Sequence, residues 1–174
     1  MVTLITRRLL LRMFRETDLD DYAQMCADPE VVRYLGAGIP MPRPEVWRHI
    51  AMILGHWQLR GYGLWAVEEQ STGQLIGRIG LFNPEGWPEV EVGWMLRRSS
   101  WGYGFATEGA QAALRYAFET LHQVHVISMI RPENAASIRV AERLGETLEN
   151  RLEIMGGEAL IFGISHTTWE QCKA

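Results

Sequence analysis

A glycine-containing segment, WGYGFATEG at residues 101–109, lies between a predicted strand and a predicted helix. Gly102 and Gly104 would let a ligand approach the backbone, and the free N–H groups at a helix start favour a phosphate or pyrophosphate. A tight strand-to-helix turn also needs glycine, so both interpretations stay open for this segment alone. Two other phosphate motifs are missing: the third glycine and ribose-binding acid of dinucleotide folds, and the GxxxxGK[ST] loop.

Histidines are the second residue type with chemical potential. His49 and His56 share one predicted helix face, and His122 and His125 are close in sequence. Neither pair is accompanied by a carboxylate or cysteine at the spacing of a metal site. We therefore expect no metal.

Hydrophobic periodicity and turn residues predict the elements that position the glycine segment. The predicted strands are residues 6–14, 64–69, 74–82, 90–96, 124–130, 147–155 and 158–169, with Gly156-Gly157 as a two-residue hairpin turn. A first helix is predicted to begin after the cap Thr17. Three more are predicted over residues 44–60, 105–121 and 134–144. This order indicates a mixed α/β fold with helices on the faces of a sheet and no regular βαβ repeat.

Composition sets broad limits on class and location. The 174 residues are enough for one domain, which we expect to span residues 1–174. A formal net charge of -4 argues against nucleic acid as a partner. No apolar run approaches the ~20 residues of a membrane span, and the N-terminal residues lack the apolar core of an export signal. Two scattered cysteines, Cys26 and Cys172, are typical of a reduced, cytoplasmic protein, although they also permit one disulfide.

Two further motifs accompany the glycine segment. Residues 6–12 follow the pattern T-x-R-L-x-L-R, and residues 134–145 combine N-x-x-S with an R-L-G helix end. Together with the glycine segment, they resemble the GCN5-related N-acetyltransferases (GNAT), and within them the RimJ/RimL-like ribosomal-protein acetyltransferases. Trp101 replaces the Gln or Arg that usually begins this family's coenzyme A loop. The resemblance covers nearly the whole chain and implies a mixed, mostly antiparallel, twisted sheet with helices on both faces.

The resemblance implies that acetyl-CoA is the cosubstrate. Arg97 and Arg98 are candidates for its phosphates, although a solvated pair beside a loop is an equal alternative. Asn134 is a candidate for both the cofactor-binding and the catalytic set, because it would bind the pantetheine arm or a water while also capping its helix. The backbone groups implied are those of Trp94, Met95 and Leu96 beside the pantetheine and those of Gly102, Tyr103, Gly104, Phe105, Ala106 and Thr107 at the pyrophosphate.

The implied reaction needs a base and a modest acid. An amine must lose a proton before it attacks a thioester, and a thiolate whose conjugate acid has a pKa of about 8.5 leaves readily. Glu91 is the best candidate for the base, with a solvated or acceptor-orienting carboxylate as the alternatives, and Glu153 and Glu158 are weaker candidates. The tyrosine that the family usually supplies as the acid is missing from residues 138–143. Ser137 is the substitute that the resemblance suggests, with closure of the helix start as its alternative role.

The acceptor is not determined by these patterns. A protein N-terminus, an amino acid, a polyamine and an aminoglycoside all present an amine, and the negative net charge mildly favours a cationic one. We expect direct transfer in a ternary complex. The alternative is a non-catalytic acyl-CoA-binding or regulatory module. The missing ribose-binding acid and the irregular strand order argue against a nucleotide-dependent oxidoreductase. The sequence permits a homodimer. The aromatic candidates for the acceptor pocket are Tyr34, Tyr62, Trp65, Trp87 and Trp94.

Overall fold

The computed structural model describes residues 2–154 and 156–172, in which eight strands form one sheet. The strands are β1 (Leu4–Ile5), β2 (Leu9–Arg12), β3 (Leu64–Glu69), β4 (Gln74–Phe82), β5 (Glu91–Leu96), β6 (His125–Ile130), β7 (Thr147–Ile154) and β8 (Gly157–Ser165). Their order across the sheet is β1-β2-β3-β4-β5-β6-β8-β7. All neighbours are antiparallel except β5 and β6, which are parallel.

Helices cover both faces of this sheet. They are α1 (Leu19–Ala27), α2 (Pro29–Val32), α3 (Arg43–Arg60), α4 (Phe105–Arg115), α5 (Ala135–Leu144) and α6 (His166–Gln171), and a π-helical turn at Tyr116–Thr120 continues α4. None of the helices in the described ranges is long and apolar enough to cross a membrane. The predicted mixed α/β fold is confirmed.

Two adjacent residues of β4 show which helices lie on which face. A Cβ atom on Gly109 of α4 would lie 2.5 Å from Cδ1 of Ile79. The charge of Arg78 acts instead on Tyr22 of α1 and His49 of α3. Side chains alternate along a strand, so α4 packs on one face and α1 and α3 on the other. The helix α5 packs against α4 and therefore shares its face.

A buried ion pair fixes the chain between β2 and α1. Both terminal nitrogens of Arg12 donate to the carboxylate of Asp18 at 2.8 Å, and its Nε donates to Glu68 at 2.9 Å. The side chains of Arg12 and Asp18 are only 9% and 6% exposed. A 3-10 turn at Glu16–Asp18 precedes α1, so the helix begins at Leu19 after Asp18, and the predicted cap Thr17 lies within the turn.

Several predicted boundaries need correction. Residues 166–169 were predicted as strand but form α6, because the Ser165 side chain accepts from the Thr168 N–H at 3.1 Å and caps a helix. Gly157 pairs with Ile154, so it belongs to β8 and not to the predicted turn, and Met155 lies outside the described residues. The predicted disulfide alternative is wrong, since Cys26 is a buried and Cys172 an exposed free thiol.

Candidate active site

The parallel strands β5 and β6 pair at one end only. Glu91 lies opposite Ile127, whose N–H donates to the carbonyl of Val90 at 3.0 Å. Next along the strands, the Ser128 hydroxyl donates to the Val92 carbonyl at 2.9 Å. The remaining residues of these two fully described strands form no pairs with each other. A gap therefore opens in the sheet between β5 and β6.

Two cavities meet at this gap. A small one of about 70 Å³ is bordered by Trp94, Asn134 and Ser137 on the α4 side and also by Glu91. A larger one of about 740 Å³ lies on the face of α1 and α3, and residues 34–42 form one of its walls. Glu91 borders both cavities, so its side chain lies where a group in the gap would meet a molecule in the larger cavity.

Glu91 is half-buried and has one direct side-chain donor, because the indole N–H of Trp87 donates to its Oε2 at 2.8 Å. Burial raises the pKa of this carboxyl to about 7, against the opposing effects of the Trp87 hydrogen bond, the charge of Arg78 and the backbone of Met129. Both protonation states are therefore populated near neutral pH, as a general base requires.

Ser137 and Asn134 lie at the start of α5, beside the small cavity. The Asn134 side-chain oxygen accepts from the Ser137 N–H at 3.2 Å and caps the helix. The indole N–H of Trp94 donates to the Ser137 hydroxyl oxygen at 3.2 Å. Because that oxygen accepts from Trp94, the Ser137 proton can be donated to a group in the cavity. Trp94 and Ser137 are 43 positions apart, and no local pattern indicates their contact.

The glycine segment forms the turn before α4. Gly102 and Gly104 have φ values of +82° and +80°, in the left-handed region that favours glycine, and Gly104 is the residue that precedes the helix. No side chain caps this helix start. The first backbone amides of α4, from Phe105 to Thr107, are therefore available to an anion. Trp101 ends β5 by donating from its indole to the Leu96 carbonyl at 2.8 Å, which gives this replacement a structural role.

Arg8 lies beside this turn, although the sequence patterns indicated no role for its side chain. Its guanidinium carbon lies 4.5 Å from the ring centre of Phe105, and its Nε donates to Glu108 at 2.7 Å. A Cβ on Gly104 would lie 3.6 Å from Nη2 of Arg8. The two arginines that are candidates for the coenzyme A phosphates differ in their surroundings. The Arg97 guanidinium donates to Gln74 at 3.3 Å, whereas Arg98 is exposed.

The remaining predicted strand residues of the cofactor site differ in exposure. Met95 and Leu96 are buried, and Trp94 is half-buried on the α4 side of β5. Tyr103 is exposed and stacks on Phe105, with ring centres 5.9 Å apart. Trp94 borders the small cavity and Met95 borders the large one, whereas Leu96 and Tyr103 border neither.

A buried acid behind the gap was also missed. Oε1 of Glu146 lies 3.1 Å from the Ser128 hydroxyl, whose one proton is shared with the Val92 carbonyl, while Oε2 of Glu146 has no partner among the described residues. Burial raises the pKa of Glu146 to about 8, so its carboxyl is largely protonated at neutral pH. Glu146 follows a helix end in sequence, where a solvated carboxylate is the usual expectation.

The other predicted residues are divided between the site and the rest of the fold. Tyr34 and Trp87 border the large cavity, whereas Trp65 is fully buried in the core, so its predicted place in the pocket wall is wrong. Tyr62 packs against His56 and is not a lining residue. The exposed Glu153 and Glu158 lie on the hairpin of β7 and β8.

The histidines differ from expectation in one respect. His125 lies between two carboxylates, with Glu89 at 2.8 Å from Nδ1 and Glu149 at 3.0 Å from Nε2, although sequence spacing indicated no such partner. Partial burial disfavours the charged ring, but these hydrogen bonds raise the pKa of His125 overall. Within residues 2–154 and 156–172, no three His, Cys, Asp or Glu side chains are grouped so that they could hold a metal ion.

Comparison with known proteins adds to this geometry. A family model described as an acetyltransferase (GNAT) domain matches residues 8–147. The chain is 30% identical to an uncharacterised N-acetyltransferase, p20, of Bacillus licheniformis, over 87% of this chain and 86% of that protein. An acetyltransferase from Agrobacterium tumefaciens has a TM-score of 0.84 at 34% identity, with 94% of each chain covered.

A more distant structure is similar in fold. It is a ribosomal-protein alpha-N-acetyltransferase, RimL, in complex with coenzyme A, with a TM-score of 0.77 at 20% identity over 93% of this chain and 96% of that one. The family match spans most of the chain, and the fold is shared by the relatives of higher identity. The chain therefore belongs to the GNAT acetyltransferases and is an acyltransferase.

Proposed function

We propose that the protein transfers the acetyl group of acetyl-CoA directly to a primary amine while both substrates are bound. The gap between β5 and β6 carries this proposal, because it connects the face of α4 and α5 with the large cavity on the other face. A thioester in the gap would meet an amine in the cavity beside Glu91. The free thiols Cys26 and Cys172 are in keeping with a reducing cytoplasm, and we propose one domain over residues 1–174.

Acetyl-CoA would bind along one side of the gap. The amides at the start of α4 suit its pyrophosphate, because they have no other acceptor and lie at the positive end of the helix dipole. The edge of β5 at Trp94, Met95 and Leu96 is not paired by β6, and among the described residues only the Leu96 carbonyl of this edge is occupied, by the Trp101 indole. This edge suits the amide groups of the pantetheine arm, which can hydrogen-bond to a strand edge as an added strand would.

The reaction then requires the amine to lose its protons on one side of the thioester and the departing thiolate to be stabilised on the other. Glu91 accepts a proton from the ammonium group, and the free amine attacks the carbonyl carbon to form a tetrahedral oxyanion. The attacking nitrogen then carries a positive charge and releases its second proton to water as the intermediate collapses; the new C–N bond remains, the C–S bond breaks and the thiolate leaves. Ser137, whose hydroxyl proton is free to point at the sulfur, stabilises the thiolate by a hydrogen bond.

The direct test uses purified protein, acetyl-CoA and a panel of amines, with thiol release and acetylated product both measured. Equal amounts of product and free thiol, without an acetylated enzyme intermediate, are the expected result. A non-catalytic acyl-CoA-binding module would bind acetyl-CoA and release no thiol above the rate of hydrolysis.

The glycine turn gives a first testable prediction. Coenzyme A at 100 times its Kd should stabilise the protein by about 2.7 kcal/mol and raise Tm, whereas NAD and ATP should do much less. In Gly104→Val the branched side chain would lie where the backbone must meet the pyrophosphate, so the rise in Tm should disappear. Gly73→Val is the matched control, since Gly73 also has a left-handed φ of +68° and open space around it but lies in the β3–β4 turn. A normal coenzyme A effect in Gly104→Val would overturn the assignment of the turn.

The cap of α5 gives a second prediction. Asn134→Ala should lower the free energy of unfolding by about 1 kcal/mol, because the Ser137 N–H loses its acceptor, and it should also weaken coenzyme A binding. Ser165→Ala removes a similar cap from α6, outside the site, and should lower stability without changing coenzyme A affinity. Denaturant unfolding and titration calorimetry measure the two effects. If both variants bind coenzyme A equally well, Asn134 is a cap only.

Ser137 gives a third prediction. Ser137→Ala should leave stability nearly unchanged and slow the acetyl-transfer step in single-turnover experiments. The decrease should be on the order of tenfold, below the ~10²–10⁴ of a full general acid, because a thiolate leaves readily. Coenzyme A affinity serves as the control and should stay constant. An unchanged single-turnover rate would show that the thiolate needs no help from Ser137.

A further inference from the structure

Arg78 is a half-buried cation that borders both cavities. Its Nε is buried and has no hydrogen-bond partner among the described residues. Its guanidinium has no described carboxylate within 4.0 Å, unlike the buried Arg12, which has two carboxylates within 3 Å. The fold therefore places a positive charge in the acceptor cavity without supplying its counter-ion.

The groups packed around Arg78 from α1 and α3 are neutral. Burial raises the pKa of the Tyr22 hydroxyl and of the Cys26 thiol, and burial together with the charge of Arg78 lowers the pKa of His49 to about 3. Tyr22 and His49 hydrogen-bond each other, with 3.2 Å between the hydroxyl and Nδ1. None of these three groups carries a negative charge at neutral pH, so none of them balances Arg78.

The space between Arg78 and Glu91 is open. On the cavity face of the sheet, Arg78 lies opposite Met95, and Glu91 lies opposite Phe82. The residue between Met95 and Glu91 on this face of β5 is Gly93, and a Cβ there would meet no atom closer than Oε1 of Glu91 at 3.6 Å. A molecule lying over Gly93 could therefore contact the guanidinium with one end and the carboxyl with the other.

The rest of the cavity is mainly apolar and carries a second cation. Arg131 lies at its border and donates to the Glu158 carbonyl at 3.0 Å. Because the pKa of Glu91 is raised, its carboxyl is only partly ionised at neutral pH, so the charge of Arg78 gives this part of the cavity a positive balance. The apolar lining includes Val32, Leu35, Ile39, Met41, Phe82 and Met129.

We propose that Arg78 binds a carboxylate of the acceptor, and that the acceptor is a small amine carrying both a carboxylate and an apolar side chain, the class of the hydrophobic amino acids. This rests on the proposed acetyl transfer and narrows its acceptor. A guanidinium binds a carboxylate through two parallel, charge-assisted hydrogen bonds, which also supplies the missing counter-ion. With the carboxylate at Arg78, the amine of the same molecule lies toward Glu91, over Gly93.

The same charges select against cationic acceptors. A polyamine or an aminoglycoside would bring further ammonium groups next to Arg78, where like charges repel in a partly desolvated cavity. This reverses the mild preference for cationic acceptors that the net charge of the chain suggested. The local charge of the cavity, rather than the total of -4, acts on the acceptor.

Matched acceptors test the proposal without any mutation. Leucine, methionine and phenylalanine are compared with their carboxamides, and with spermine and a carboxamide-ended peptide, at saturating acetyl-CoA and with thiol release as the readout. Loss of the carboxylate leaves Arg78 unpaired, so kcat/KM for the acid should exceed that for its carboxamide by a factor on the order of 10².

Variants then assign this preference to Arg78. Arg78→Met should reduce kcat/KM for the acids to that for the carboxamides, mainly through KM, and Arg78→Lys should restore part of the difference. Arg48→Met is the control, because Arg48 is an exposed residue of α3 that pairs with Glu45. This variant should leave the ratio of kcat/KM for acids to that for carboxamides unchanged. The rise in Tm with coenzyme A verifies that each variant is folded and binds the cosubstrate.

The outcomes separate the two proposals. Equal kcat/KM for acids and carboxamides, or a preference for spermine or the peptide, would overturn the role of Arg78 and leave acetyl transfer in place. A wild-type preference for acids that persists in Arg78→Met and Arg78→Lys would place the carboxylate elsewhere and overturn the inference too. Thiol release with none of the acceptors would overturn the proposed function and, with it, the inference.

Discussion

Glu91→Gln is expected to reduce kcat/KM for acetyl transfer by a factor on the order of 10²–10⁴, the range for loss of a general base. The carboxamide occupies nearly the same volume and still accepts from Trp87, but it cannot take a proton from the amine. Coenzyme A affinity should stay constant, because Glu91 belongs to the acceptor side of the gap. The measurement is steady-state kinetics with the preferred acceptor, together with coenzyme A titration.

The pH profile of the same enzyme follows from the pKa of Glu91. The base acts only when deprotonated, so kcat/KM should rise with pH and level off above the pKa of about 7. Burial raises this value, while the Trp87 hydrogen bond, the charge of Arg78 and the backbone of Met129 lower it. Trp87→Phe removes a hydrogen bond that lowers the pKa, so its rising limb should shift to higher pH, whereas Glu91→Gln should have no such limb.

Two results would assign Glu91 a different role. A near-normal rate in Glu91→Gln would show that water accepts the proton and that Glu91 is a bystander. A loss limited to the KM of the acceptor, with kcat and the rising limb intact, would make Glu91 a residue that binds the ammonium group.

Asp18→Ala is expected to lower the free energy of unfolding by about 3–5 kcal/mol. The substitution leaves the buried guanidinium of Arg12 with Glu68 as its remaining carboxylate and removes the acceptor of the Arg15 N–H. Urea denaturation measures the change. Asp20→Ala, two positions further along in α1, is the matched control, because Asp20 pairs with Arg43 on the surface, where an ion pair contributes only about 0–1 kcal/mol.

The loss of stability in Asp18→Ala shows whether Arg12 needs Asp18 as a partner or is sufficiently paired without it. A loss below about 1 kcal/mol would mean that Glu68 and the carbonyl of Met13 suffice for this guanidinium. The expected larger loss would give the second arginine of the T-x-R-L-x-L-R pattern a structural explanation. In that case the motif fixes the start of α1, the helix that carries Tyr22 into the surroundings of Arg78.

Local patterns predicted the parts of the site that local structure makes. The turn at Gly102 and Gly104 and the cap at Asn134 depend on residues within a few positions of each other, so their residue types indicate the geometry. The same holds for β3 and β4, whose observed bounds equal the predicted ones.

Long-range contacts made the parts that were missed. Arg78 follows Gly77 in a strand where a polar residue is ordinarily solvent-facing, and only the packing of α1 and α3 over that face encloses it. The partners of His125 come from positions 36 and 24 residues away, beyond any spacing rule. The end of β8 was missed because Thr167, Thr168 and Trp169 of α6 are β-branched or aromatic residues that favour strands, whereas Trp169 packs on Phe118.

The strand order has a consequence for synthesis of the chain. β8 lies between β6 and β7 but is made after both of them. Until residues 157–165 leave the ribosome, β6 presents one unpaired edge, and an uncovered strand edge is a template for association with other chains. β7 pairs with β8 alone among the described strands, so β7 and β8 join the sheet together, as a hairpin whose buried residues 159–164 lie against β6. The half of the sheet that includes β6, one border of the gap, is therefore the last to be completed, and nascent chains that stall before β8 should be the species most in need of a chaperone.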